Sequence, residues 1–229
     1  MTPREHGAWG ILLVPLATAV GVAGQAPLPF WLLLAATICV HMARANWLKK
    51  NRRWACGLLV VAGGCGAALL IGWQRGWVIP VACALAPLWW QKTRHHIAWQ
   101  VVAVLGLTTT APVGWYVIHG RWDLTALWLW VLNAGYFIGG VLHVRMHVAA
   151  AVARRVNRRE QATANLVYHG LLAAGAAATW PAGAAWLPAV MRAVWGAWRL
   201  QPQLAIRRLG WTEVAYSLGF GVLVVYLNR

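Results

Sequence analysis

The chain has 229 residues, of which 61% are hydrophobic and 10% charged, and only four are acidic. Because about a quarter of the residues of a soluble domain are charged, this composition excludes an ordinary soluble protein and predicts an integral membrane protein. The net charge of +16 is divided among short loops between apolar stretches, so no duplex could contact it as one surface, and nucleic acid is excluded as a partner.

Nine apolar segments are expected to cross the membrane as helices, because a span needs about 20 apolar residues and flanking Trp and Arg side chains reach the interface when a segment is shorter. The segments run from Gly7 to Gly24, Leu28 to Ala45, Trp54 to Trp73, Gly76 to Trp90, Ile97 to Ile118, Leu124 to Val144, Ala164 to Trp180, Ala182 to Trp198 and Trp211 to Leu227. Pro181 predicts a tight turn between the seventh and the eighth. We expect residues 1–229 to form a single transmembrane helical domain. The first segment has the alternative of a signal peptide, since it follows one Arg and ends in small residues.

Most of the Lys and Arg residues lie in every second gap between these segments. They form five clusters: Arg4; Arg44, Lys49, Lys50, Arg52 and Arg53; Lys92 and Arg94; Arg145, Arg154, Arg155, Arg158 and Arg159; and Arg192, Arg199, Arg207 and Arg208. Short cytoplasmic loops are enriched in Lys and Arg. The pattern therefore predicts a multi-pass protein of the bacterial inner membrane with a cytoplasmic N-terminus and, after nine spans, an external C-terminus. Besides the bilayer itself, anionic lipid head groups are the expected partners of these loops.

Tryptophan, glycine and threonine add predictions about packing. Most of the 18 Trp residues lie at segment ends, as in the aromatic belts of membrane proteins. Glycines at positions 135, 139 and 140, and at 63, 64 and 66, are typical of helices that approach closely. Thr108 to Thr110 precede Pro112, so their hydroxyls are expected to bond backbone carbonyls at this kink or to line a cavity.

The uncommon polar residues gather at the helix ends assigned to the cytoplasm, which predicts a functional site there. Those we expect to contact a ligand are Glu5, Asn46, Lys49, Lys50, His143, Arg145, His147, Tyr168 and Arg192. His6, His169 and Glu213 are candidate catalytic acids or bases, since imidazole titrates near neutrality and burial shifts a carboxyl group towards it. The alternative is that these residues are interfacial anchors, with Glu213 and Arg192 as a structural ion pair.

The sequence implies no metal or cofactor. His143 and His147 share a helical face but form only half of a metal site, and a haem would need His41 or His169 as a second axial ligand. The four cysteines lie inside apolar segments without a C-x-x-C pair, which disfavours zinc and a disulfide framework. Ser217 has no G-x-S-x-G surroundings, which disfavours a hydrolase.

The opening run Pro3-Arg4-Glu5-His6-Gly7-Ala8-Trp9 resembles that of the YwiC-like family of uncharacterised bacterial integral membrane proteins. The resemblance continues through most of the chain. It includes Trp47 with Lys49 and Lys50, His143-Val144-Arg145, Tyr168-His169, Pro188 to Arg192, and Arg208-Leu209-Gly210-Trp211-Thr212-Glu213 with Ser217. It implies a membrane protein and no particular reaction.

The number of helices and the polar ends of the second and sixth also resemble the UbiA-type intramembrane prenyltransferases. The resemblance implies a UbiA-like helical arrangement and acidic motifs that hold Mg²⁺ against a prenyl diphosphate. Here the first motif is replaced by Asn46-Trp47-Leu48-Lys49-Lys50, and the second loop has His143, Arg145 and His147 without an Asp. Mg²⁺ prefers carboxylate oxygens, so this sequence disfavours Mg²⁺-dependent transfer. If the protein is an enzyme, it is expected to be a UbiA-like transferase without the usual Asp motifs.

The leading hypothesis is a cytoplasm-facing basic cavity that binds an anionic, lipid-like ligand, such as a prenyl phosphate, without a metal. Lys and Arg neutralise a phosphate directly, and Lys49, Lys50, Arg145 and Arg192 are the expected contacts. The alternatives are UbiA-type prenyl transfer, a transporter that uses Asn133 and Thr108 to Thr110, a haem-binding protein, and a non-catalytic membrane assembly factor.

Overall fold

The computed structural model describes residues 6–72, 75–78, 80–81, 97–152, 158–198 and 206–229, and these parts of the chain contain helices and no strands. The α-helices are α1 (His6–Ala23), α2 (Leu28–Leu48), α3 (Arg52–Ile71), α4 (Ile97–Thr108), α5 (Thr110–His119), α6 (Leu124–Val152), α7 (Arg158–Ala178), α8 (Leu187–Trp198) and α9 (Ile206–Asn228). A 3₁₀ helix, Ala182–Trp186, precedes α8. The all-helical class is therefore confirmed.

Eight of the nine predicted segments correspond to helices in these residues, while ten of the fifteen residues of the fourth lie outside them. Because α4 and α5 together form the single span Ile97–His119, eight helices are counted in the described residues. The predicted total of nine is thus not confirmed. The tight turn predicted at Pro181 lies between the end of α7 and the 3₁₀ helix.

Among the described residues, five helices are long and apolar enough to cross a membrane: Leu28–Leu48, Arg52–Ile71, Ile97–His119, Leu124–Val148 and Leu209–Asn228. Within α1 the apolar part is the shorter Trp9–Ala23. Helix α8 has 12 residues, which at about 1.5 Å per residue is much shorter than a hydrocarbon core of about 30 Å. These five helices are compatible with a multi-pass membrane protein.

Helix α6 is central, because it packs against α1, α4, α5, α7, α8 and α9. Its buried face carries Leu129, Leu132 and Tyr136, and Tyr136 stacks on Phe220 of α9 with ring centroids 4.1 Å apart. A second apolar cluster joins α1, α2, α3 and α5 around Leu16. Helix α3 packs mainly on α2 and exposes most of its surface. The bundle thus has a densely packed part around α6 and a more open part around α2 and α3.

The predicted role of the threonines near Pro112 is confirmed. The hydroxyls of Thr108, Thr109 and Thr110 donate to the carbonyls of residues 104, 106 and 107 at 2.8, 2.6 and 2.9 Å. These bonds satisfy backbone acceptors where α4 passes into α5, and Thr110 also lines a cavity.

Close packing is confirmed at two of the six predicted glycines, at positions 135 and 139; those at 140 and 66 have ordinary contacts at 3.6 Å, and the other two have none. A Cβ atom on Gly135 would lie 3.1 Å from the Trp186 ring, one on Gly139 2.8 Å from His169 Nε2, and one on Gly140 3.6 Å from Glu213 Oε2. At positions 63 and 64 no atom lies within 4 Å of such a Cβ, because this side of α3 faces outward. The glycines of α6 therefore admit the side chains that form the candidate site.

Candidate functional site

A buried ion pair joins α8 to α9. Arg192 Nη1 lies 2.7 Å from Glu213 Oε2, and the guanidinium carbon of Arg192 lies 4.8 Å from the centre of the Tyr216 ring. Arg192 is only 8% exposed, so this close contact lies largely out of water. Buried charges of this kind are held only when they are paired.

Three buried histidines surround this pair. His143 Nε2 lies 3.9 Å from Glu213 Oε1, and the His143 and His147 ring centroids are 4.4 Å apart on α6. On α7, His169 is buried, and its Nδ1 lies 2.8 Å from the carbonyl oxygen of Asn165. His147 Nδ1 lies 3.2 Å from the carbonyl oxygen of His143. Because a carbonyl can only accept, Nδ1 carries the proton in both rings, and Nε2 bears the lone pair of the neutral imidazole.

The backbone of two helices shapes the space for these rings. A Cβ atom on Gly196 of α8 would lie 2.6 Å from His143 Cε1 and 3.0 Å from His147 Cε1. Gly139 has the same role on α6, where a Cβ atom would lie 2.8 Å from His169 Nε2. The cluster of His143, His147, His169, Arg192 and Glu213, which we call the α6–α9 cluster, therefore depends on glycine at positions where helices face each other.

Gly196→Ala should destabilise the protein by about 1–3 kcal/mol, because the added methyl group must displace both histidine rings. Gly170→Ala is the matched control, since a Cβ there would have no atom within 4 Å and alanine favours a helix by up to about 1 kcal/mol. Unfolding of the two variants with denaturing detergent measures the difference. Equal stability of both variants would contradict the close approach at Gly196.

The other predicted site residues have different neighbours. Lys49 and Lys50 are exposed just beyond α2, and the amide nitrogen of Asn46 donates to the Met42 carbonyl oxygen at 2.9 Å. Arg145 Nη1 donates to Gln100 Oε1 on α4 at 3.1 Å. Tyr168 donates its hydroxyl hydrogen to the carbonyl oxygen of residue 135 at 2.9 Å. Glu5 and the side chain of His6 lie outside the described residues. Of the four expected cationic contacts, only Arg192 belongs to the α6–α9 cluster.

A cavity of about 190 Å³ lies between α1, α2, α3, α4 and α5. Most of its wall is apolar, and the residues that line it are Leu12, Leu33, Ala36, Thr37, Val40, His41, Arg44, Ala62, Gly66, Leu69, Trp77, Val81, Leu107, Thr110 and Val113. Six of them are spaced by one to four residues along one face of α2, from Leu33 to Arg44. The wall changes along this face from apolar to basic, since His41 and Arg44 stand at the end that leads to Lys49 and Lys50. We call this space the α2 cavity.

His41 and Arg44 were not among the predicted ligand contacts. The sequence pattern indicated Arg44 only as an orientation charge, and His41 as a polar residue at a helix end or an axial ligand of a haem. The signal that could have selected them is their register with Leu33, Ala36, Thr37 and Val40, which places both on one face of α2. The ring of Trp9 meets His41 edge to face at 4.6 Å, so α1 helps to hold the basic end of the cavity.

The fold and the two sites define an all-helical protein. In the part of the chain that the structure describes, five helices could cross a membrane, and the candidate sites are the α2 cavity with its basic end and the buried His/Arg/Glu cluster. Among the described residues, no group of three or more His, Cys, Asp and Glu side chains has an arrangement that could hold a metal ion. No family model, curated protein or solved structure matches this chain.

Proposed function

We propose that the protein binds an anionic amphiphile, such as a prenyl phosphate, in the α2 cavity. The observation that supports the proposal is the gradient along one face of α2, from Leu33 at the apolar end to His41 and Arg44 at the basic end. An apolar tail would lie against the aliphatic and aromatic wall. The anionic head group would face Arg44, with Lys49 and Lys50 just beyond the end of α2 to attract it from solvent.

The chemistry of the basic end suits a phosphate without a divalent ion. A guanidinium group binds two phosphate oxygens through parallel N–H bonds and remains charged at any physiological pH. Apolar pockets with a few polar groups at one end are typical of small-molecule sites. The proposal thus keeps the metal-independent binding expected from the sequence and moves the main cationic contact from Arg145 and Arg192 to Arg44.

We favour binding over prenyl transfer. Two candidate catalytic groups, His169 and Glu213, lie on α7 and α9, whereas α1 to α5 enclose the cavity. A reacting head group at Arg44 would therefore have His41 beside it, and not His169 or Glu213. The resemblance to the YwiC-like family remains part of this proposal, as does the cytoplasmic orientation of the basic end.

Binding of a tritiated prenyl phosphate to the full chain in lipid nanodiscs tests the proposal. Arg44→Gln should weaken binding by roughly 10- to 100-fold, because a hydrogen bond to a charged group contributes about 1.5–3 kcal/mol. Ala36→Phe should weaken it similarly by filling the cavity. The matched controls are Arg53→Gln and Val60→Phe, since both residues are exposed on α3.

A comparison of two ligands keeps the test valid if a variant does not fold. The wild-type protein should bind the uncharged prenyl alcohol at least about tenfold more weakly than the phosphate, a difference of about 1.4 kcal/mol. Equal affinity for the alcohol and the phosphate, or binding that Arg44→Gln and Ala36→Phe leave unchanged, would refute the proposal.

A further inference from the structure

One face of α6 is polar through much of the bundle, although this helix is central and buried. Asn133, Tyr136, His143 and His147 are 0%, 2%, 3% and 8% exposed. Gly139 and Gly140 occupy the turn between them, so the four side chains follow one helical face. At about 1.5 Å per residue, this stripe extends roughly 21 Å along the helix axis. A buried polar stripe of this length inside apolar helices is costly, and such stripes usually carry ions or protons.

Charged and titratable groups meet the His143 end of the stripe from three neighbouring helices, α7, α8 and α9. His169 and Tyr168 approach from α7, Arg192 from α8, and Glu213 and Tyr216 from α9, while His147 is on α6 itself. Arg192 and Glu213 cancel each other's charge, and the three imidazoles can each hold a proton. The cluster is therefore neutral when all three imidazoles are neutral, and it carries one positive charge after it takes up one proton.

Several atoms of the cluster are ready to accept a proton. His169 is 1% exposed, and its Nε2 has no hydrogen-bond partner among the described residues. The same holds for Glu213 Oε1 and for His143 Nδ1. Because His169 Nδ1 already donates to a carbonyl, its Nε2 lone pair is an acceptor. Buried polar atoms in this state are rare in proteins and call for a ligand, a water molecule or a catalytic role.

The stripe has one polar end and one apolar end. His147 lies near the C-terminal end of α6 and is 8% exposed, while the Glu213 side chain, at 16%, is the most exposed member of the cluster. In the other direction the stripe ends at Asn133, whose amide nitrogen donates to Thr18 Oγ1 at 3.0 Å. The same face of α6 then continues with Leu129 and Ala126, both fully buried. A path for protons along α6 therefore opens at one end only.

We propose that the α6–α9 cluster is a proton-binding site inside the bundle, reached through His147 from the C-terminal end of α6 and closed by Leu129 at the other end. A proton passes from water to His147, then to His143, and is shared with the Glu213 carboxylate 3.9 Å away. Each imidazole accepts one proton and gives up one, so the step needs no oxidant or other reactant. Arg192 holds the carboxylate in place and limits uptake to a single proton.

Infrared difference spectroscopy of the full chain in lipid nanodiscs tests this site. A jump in pH should change the bands of a carboxyl group and an imidazole together, and both changes should disappear in Glu213→Gln combined with His143→Gln. Glu160→Gln is the control, since Glu160 is exposed at the start of α7. Identical difference spectra for the wild type and the double variant would overturn the proposal.

The rate of the same response tests the path without altering the ion pair. His147→Leu should slow the spectral response to the pH jump by about a hundredfold, the lower range of what a positioned acid–base group contributes. His119→Leu on α5, away from the cluster, should leave the rate unchanged. A response in His147→Leu as fast as in the wild type would overturn the path.

Sealed proteoliposomes test the closed end. A pH gradient across their membrane should decay no faster than in protein-free vesicles, because Leu129 and Ala126 close the stripe. Faster decay that His147→Leu abolishes would show a path through the whole bundle and overturn the one-sided site. Arg44→Gln should leave all three measurements unchanged, so failure of the amphiphile proposal is distinguishable from failure of this one.

Discussion

Arg192→Leu is expected to destabilise the protein by about 3–5 kcal/mol, because it leaves the Glu213 carboxylate buried without its counter-ion. The pair is close, at 2.7 Å between Nη1 and Oε2, and both side chains lie among α6, α8 and α9. An isolated carboxylate in this position cannot recover its hydration. Unfolding of the purified protein with denaturing detergent, followed by circular dichroism, measures the loss of stability.

The double variant Arg192→Leu with Glu213→Leu distinguishes the missing partner from the missing contacts. Removing both charges should restore most of the stability, since apolar side chains of similar volume often replace a buried ion pair without loss. Arg121→Leu is the matched control: Arg121 Nε lies 3.6 Å from Asp123 Oδ2, but the Arg121 side chain is 75% exposed. Such exposed pairs contribute about 0–1 kcal/mol. A double variant as unstable as the single one would contradict the ion-pair explanation.

Trp186→Ala is expected to cost about 3–5 kcal/mol, the range for replacing a large buried aromatic residue with alanine. The indole ring packs against Gly135 of α6 and Gly175 of α7, where added Cβ atoms would lie 3.1 Å from it. Its Nε1–H also donates to the carbonyl oxygen of Leu132 at 2.9 Å. Truncation would leave a cavity between three elements and an unsatisfied carbonyl. The same detergent unfolding measures the effect.

Trp180→Ala is the matched control for Trp186→Ala, because Trp180 lies six residues earlier and is 68% exposed. We expect a change within about 0.5 kcal/mol for this surface substitution. A comparable loss of stability in both variants would mean that Trp186 does not have a special role in the core. Comparing the two variants distinguishes the stability contribution of a surface tryptophan from that of a tryptophan packed between helices.

The helical segments were readable from the sequence because helix formation is mainly local. Runs of about 20 apolar residues predicted the bounds of α1, α2 and α3 to within three residues. Helix α6 continues eight residues beyond its predicted end at Val144, and α9 begins five residues before its predicted start at Trp211. The glycines of α6 were recognised for the same reason, since a residue without a side chain permits close approach wherever two helices meet. Five of the helices proved long and apolar enough to cross a membrane.

Only part of the candidate site could be predicted from the sequence. The sequence predicted its histidines, Arg192 and Glu213 as site residues, because ionisable residues are rare in apolar segments. Lys49, Lys50 and Arg145 were grouped with them on the same grounds, although the structure gives these three other surroundings. The position of a residue in its helix fixes how far along the helix axis its side chain lies. The neighbours of a side chain depend in addition on the rotation of that helix, which the charges alone do not encode.

The sequence by itself determined the helical class, the positions of most helices and the scarcity of buried charge, because these follow from composition and local periodicity. Only the tertiary structure decided that Arg192 pairs with Glu213, that Trp186 belongs to the core and that Arg44 and His41 form the basic end of a cavity. Each of these depends on which faces of two distant helices meet. That choice is made by the packing of all the helices together, and no single segment specifies it.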